Sequence, residues 1–197
     1  MACKGVDNTS LREIARHAGA SNVMAVQYYF GNRDGLPRAV LDRHIGEIDR
    51  RRHELLDQIE ICDRADLRSL TAALVCPYSS KLDDRDGGPE LLLVYSDVLN
   101  RPDPMIEPGA LTDPGKSLHR WRRLVDPLLD ADAIALHRRF TATTVTITEP
   151  GRRARAAGRH DHRLFVSTLV DHVTSILATT ASNETKELMV ARTGGPE

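Results

Sequence analysis

The sequence predicts an all-α chain, with a short pair of helices at the N-terminus followed by a larger helical body. Three observations carry the prediction. Apolar residues recur at helical spacing along most of the chain. Helix start and stop signals separate these runs, among them Ser10 with Glu13, Gly19, Gly31 and Asn32. Residues 141–148 are rich in Thr and Val and have strand propensity, but their neighbours are helical, so they too are read as helix.

The first helix opens on a capping box. The Ser10 hydroxyl is placed to accept the Glu13 N–H, and the Glu13 carboxylate to accept the Ser10 N–H. Leu11, Ile14, Ala15 and Ala18 form its apolar face, and Gly19 supplies the left-handed residue that ends it. Ser21 or Asn22 caps the next helix, whose inward face is Val26, Tyr29 and Phe30. Gly31 stops it and Asn32 caps a third. Two short helices with a tight turn make a helix-turn-helix, in which one face holds the second helix in place and another enters a DNA major groove. Val23, Met24, Gln27 and Tyr28 lie off the apolar stripe and are the groove-facing candidates. The competing reading is packing inside the head for Val23 and Met24, and plain exposure for Tyr28.

These residues resemble the TetR family of transcriptional regulators. The resemblance lies in Thr9-Ser10, Ile14-Ala15, Ala18-Gly19, Tyr28-Tyr29-Phe30-Gly31 and Asn32-Arg33-Asp34-Gly35-Leu36, about the first quarter of the chain. It is nearest to an actinobacterial subgroup with an Ala-Val-Gln-Tyr-x-Phe-Gly pattern, met here at residues 25–31. The resemblance implies that Gln27 reaches base edges, where its amide can pair with adenine. It implies phosphate contacts from Tyr28 and Arg33, and from the helix start at Thr9 and Ser10. Ser21, Asn22, Val23 and Met24 complete the expected DNA-binding set. The sequence departs from the family in three ways. Only residues 1–8 precede the motif, so the family's leading amphipathic helix is expected either to lie upstream of this start or to be missing. Residues 19–30 are one longer than the family's common form. Pro37 falls near the start of the third helix and is expected to displace or bend it.

Composition narrows the field. A formal net charge of −1 over 197 residues excludes a globally basic nucleic-acid binder. A helix-turn-helix needs only local basic residues, and Arg12, Arg16, Arg33 and Arg38 supply them. Few aromatic residues argue against a single-strand stacking platform. Cys3, Cys62 and Cys76 are odd in number and lack metal-type spacing, which fits a reducing compartment and a cytoplasmic protein. No apolar run approaches the ~20 residues of a membrane span, and no signal-peptide pattern opens the chain.

Beyond the motif, residues 33–59 read as one long helix with Leu41, Ile45, Ile48, Leu55, Leu56 and Ile59 in a stripe. The triplet Arg50-Arg51-Arg52 is assigned to its solvated side. A helix over 66–82 carries Leu67, Leu70, Leu74 and Val75 inward, with Pro77 predicting a kink or early stop. Residues 83–89 read as a turn cluster and 90–100 as a buried helix. A Pro-rich loop spans 101–115, a helix runs through Trp121 to Leu129, and another covers 131–148. Residues 149–161 read as a basic loop, 162–180 as a broad-faced helix, and 182–197 as a polar, partly disordered tail.

The expected organisation is a helix-turn-helix DNA-binding domain at 1–45, a ligand-binding and dimerisation domain at 46–182, and a tail at 183–197. The expected protein is a homodimeric repressor. It would bind a palindromic operator in double-stranded DNA and be released by a small, mostly apolar effector. Leu74, Tyr78, Leu92, Tyr95, Trp121 and Phe140 are the ligand-pocket candidates, although plain core is the favoured reading for each. Val145, Ile147, Phe165, Leu169, Val173 and Ile176 are the dimer-interface candidates. The alternative is a helical homodimeric interaction protein that no longer binds DNA. No G-x-S-x-G, P-loop or dinucleotide glycine pattern is present, so no enzyme and no cofactor are expected. His160-Asp161-His162 is read as a helix-start loop rather than a metal site, and His119 and His137 as surface or pocket-wall positions.

Overall fold

The computed structural model describes residues 34–63, 65–103, 109–156 and 161–193, and these contain helices, turns and loops but no strand. Their helices are α1 (Gly35–Ile61), α2 (Leu67–Ser79), α3 (Gly88–Leu99), α4 (Ser117–Val125), α5 (Ala131–Ala135), α6 (Arg138–Arg155), α7 (Arg163–Ala178) and α8 (Asn183–Thr193). The expected all-helical class holds for these residues. Among them no single helix is long and apolar enough to cross a membrane.

Local chemistry explains most of the boundaries. Pro37 sits in the first turn of α1, where its missing N–H has no intrahelical partner to lose, so α1 starts at Gly35 without displacement. The Asp66 side chain caps α2 by accepting the Ser69 N–H at 2.9 Å. Pro77 falls in the last turn of α2, and the chain tightens there into a 3-10 turn, Ser80–Leu82. Pro89 opens α3, a favoured place for a residue without a donor. The N-terminus of α4 is capped from another helix: Asp49 of α1 accepts the Ser117 N–H at 2.9 Å.

The body has two apolar centres. One joins Leu41, Ile45 and Ile48 of α1 to Tyr78, Leu82, Leu91, Leu92, Val94, Tyr95, Val98 and Ile147. The other joins Leu56 of α1 to Leu70, Leu74, Val75, Trp121, Val125, Ala142, Leu169, Val170, Val173 and Leu177. α1 therefore spans both, and the domain division placed after residue 45 falls inside this continuous helix.

Three expectations need correction. The helix read over 131–148 is two helices, because His137 adopts a left-handed conformation (φ 52°) between α5 and α6. The basic loop read from residue 149 is helical to Arg155 despite Pro150 and Gly151. Both residues are buried, and a Cβ on Gly151 would lie 2.7 Å from Leu92 O and 2.6 Å from Ser96 Cβ. The glycine thus serves the close approach of α3 and α6 rather than a turn. The polar tail is helical over Asn183–Thr193. Ser182 Oγ accepts the Thr185 N–H at 3.2 Å, and the residues that follow are mostly good helix formers.

Candidate ligand cavity

Between the two apolar centres lies a cavity of about 430 Å³, within the size range of small-molecule sites. Tyr78, Tyr95, Trp121 and Ile147 form its deep, buried wall. Phe140, 58% exposed, and Leu111 stand at its mouth. Among the described residues, Arg52, Arg122, Arg139 and His137 line it, and no carboxylate does.

Two of these cations are answered nearby. Arg139 donates to Asp126 Oδ1, and Arg122 Nε lies 3.8 Å from the other Asp126 oxygen. Arg52 is different. It is 3% exposed, and its guanidinium lies 5.4 Å from the Tyr78 ring centroid. Its Nη1 donates to Ser117 Oγ at 2.8 Å. Its Nε and Nη2 are buried and have no hydrogen-bond partner. Ser117 Oγ in turn donates to Asp49 Oδ1 at 2.6 Å. Burial works against the Asp49 charge, but the Ser117 hydroxyl and N–H outweigh it and hold that carboxyl below its ordinary range.

The expected pocket residues divide. Tyr78, Tyr95, Trp121 and Phe140 line this one cavity, whereas Leu74 and Leu92 are closed inside the core and do not reach it. Leu92 is fully buried in the first apolar centre and Leu74 in the second. The solvated reading of Arg50-Arg51-Arg52 is corrected at its third member, for Arg50 and Arg51 are exposed while Arg52 is buried. The signal was present in the sequence. Arg52 falls four residues after Ile48 and four before Leu56, on the apolar stripe itself. Ile147, Leu169 and Val173 are likewise buried within the chain's own core, so they are not surface residues of the kind expected at a dimer interface. Val145, Phe165 and Ile176 are half-buried. Thr9, Ser10, Ser21, Asn22, Val23, Met24, Gln27, Tyr28 and Arg33, the expected DNA-binding set, lie outside the described residues, as does His160.

A second polar cluster joins α1 to the turn before α3. The nearest ligand-type atoms of His44, Glu47 and Asp84 lie within 4.8 Å of one another, as metal ligands would. Lys81 already bridges the two carboxylates. Its Nζ donates to Glu47 Oε2 at 2.5 Å and to Asp84 Oδ2 at 2.7 Å. A buried ammonium with two acceptors accounts for the cluster without a metal ion.

No family model, curated protein or solved structure matches the chain.

Proposed function

We propose that the chain is a ligand-responsive DNA-binding regulator of the TetR type, in which a small molecule in the cavity governs the helix-turn-helix of residues 9–36. The protein acts as a homodimer on a palindromic operator, and the effector releases it. The course of α1 supports this reading. Gly35 and Leu36 are the last residues of the sequence motif and the first of α1, and the same helix carries Arg52 into the cavity wall. Arg52 lies 17 positions beyond Gly35 on this helix, about 25 Å at 1.5 Å per residue. A ligand that favours one tilt of α1 thereby shifts the reading heads, provided it binds the two arrangements with different affinity.

Selection of genomic DNA fragments by the purified protein tests the proposal, beside Gln27→Ala and Tyr28→Ala variants. The expected result is enrichment of one palindromic site, lost in both variants. Absence of enrichment at low salt, where phosphate contacts are strongest, would overturn the regulator reading and leave a helical interaction protein in its place.

A further inference from the structure

We infer that the cavity takes an amphipathic acid, an apolar body carrying one carboxylate, with Arg52 as its counter-ion. The inference rests on reading the cavity as a ligand site. It narrows the expectation of a small, mostly apolar effector to one that carries an acid group.

The unpaired atoms of Arg52 decide the chemistry. Nε and Nη2 lie on one edge of the guanidinium, with parallel N–H bonds spaced to fit both oxygens of a carboxylate. That edge is buried and unpartnered, while the opposite side is occupied by Ser117 Oγ and the ring of Tyr78 lies 5.4 Å away. A buried cation with an unpaired donor edge is costly. Arg52 lines the cavity, and an incoming carboxylate there relieves that cost. A neutral amide offers one carbonyl acceptor but no opposite charge and relieves only part of that cost, and an ammonium is repelled. Among the described residues that line the cavity there is no Asp or Glu, and of its arginines Arg122 and Arg139 are already answered by Asp126, which leaves Arg52 as the unmet cation. Tyr78, Tyr95, Trp121, Ile147 and Phe140 supply an apolar, largely aromatic surface for the body of the ligand.

The chain contains one tryptophan, and it lines the cavity at Trp121, so its fluorescence reports binding directly. The experiment titrates the full chain with decanoate and with naphthalene-2-carboxylate, each beside its neutral amide. The expected result is saturable quenching or shift by at least one acid, with affinity about tenfold or more above that of its amide. Arg52→Met should lower the acid's affinity to about that of its amide, abolishing that preference. Arg52→Lys should retain only part of it, because a lysine keeps the charge without the two-pronged edge. Far-ultraviolet circular dichroism of each variant establishes that it is folded. Acids that bind no better than their amides, or a preference that survives Arg52→Met, would overturn the inference. The readout does not involve DNA. Acid binding without operator binding therefore sinks the regulator reading alone, and operator binding with no preference for acids sinks this inference alone.

Discussion

Arg52 of α1 and Ser117 of α4 are joined by a buried hydrogen bond of 2.8 Å, Nη1 to Oγ, and Ser117 passes the chain on to Asp49. The hydroxyl accepts from a cation and donates to an anion one turn apart on the same helix. It thereby locks the first turn of α4, and with it Trp121, against the middle of α1. Trp121 is anchored on its far side as well, its Nε1–H donating to Leu70 O at 2.8 Å. The back wall of the cavity is therefore held at both edges by hydrogen bonds.

Removing the hydroxyl should cost more than removing the arginine. Ser117→Ala takes the last partner from a buried guanidinium and one of two bonds from Asp49 Oδ1, a loss of about 1–3 kcal/mol. Arg52→Met exchanges an under-satisfied buried charge for an apolar chain of similar length, and should be neutral or stabilising by about 1 kcal/mol. Urea unfolding of both variants measures the order. A Ser117→Ala protein more stable than Arg52→Met would show that the hydroxyl is not what holds this junction.

Two glycines in helices should respond to alanine in opposite senses. A Cβ at Gly151 would meet the backbone oxygen of Leu92 at 2.7 Å, and neither helix can yield without opening the α3–α6 contact. Gly151→Ala should cost about 1–3 kcal/mol, as overpacking does. Gly46 lies on the exposed side of α1 with nothing within 4 Å of an added Cβ. Gly46→Ala should stabilise by about 0.4–1 kcal/mol through the unfolded chain's entropy. Thermal unfolding should separate the pair by several degrees.

The comparison of these glycines shows what the sequence displays and what it hides. Helix periods and the Asp66 cap are local signals that the structure follows, and the turn cluster read at 83–89 runs only to Gly87, because Gly88 and Pro89 already belong to α3. Pro150-Gly151 is a local breaker signal overridden by packing, because burial against α3 outweighs two poor helix residues. His137 has no signal of its own kind, for the left-handed turn at an ordinary residue is set by how α5 and α6 must meet. Tyr78, Tyr95, Trp121 and Phe140 were visible in the sequence as large apolar side chains within helical runs. Leu74 and Leu92 share that signature, and only three-dimensional packing tells a wall from a filled core. Arg52 was legible as a charge in an apolar register, but not as a residue with a vacant donor edge.

The Lys81 cluster predicts how stability depends on pH. Burial opposes the Lys81 charge, but hydrogen bonds to Asp84 and Glu47 prevail and raise its pKa above 10.5. Its stabilising effect is thus intact through neutral pH and is lost only as pH rises through that raised value. Asp84 moves the other way. The hydrogen bond from Lys81, then the Asp86 N–H, hold its carboxyl below 3.8, so its contribution is present above 3.8 and disappears as pH falls through the lowered value. His44 is buried, and burial first and Lys81 second push its pKa below 6.5, although Asp84 pulls it back. A neutral buried imidazole is favoured, so stability is held above 6.5 and declines as pH falls from there through the lowered value. The acid side of the stability profile should therefore fall in two stages, one starting below 6.5 and one below 3.8. Lys81→Met should cost about 1–3 kcal/mol at pH 7 by leaving the carboxylates without their buried partner. It should also flatten the lower stage, since Asp84 loses the bond that depressed it. The His44 titration, followed by NMR of the imidazole, should then move upward, because the neighbouring cation is gone and the Asp84 charge remains. A His44 midpoint unchanged or lower in Lys81→Met would contradict this account of how the cluster is charged.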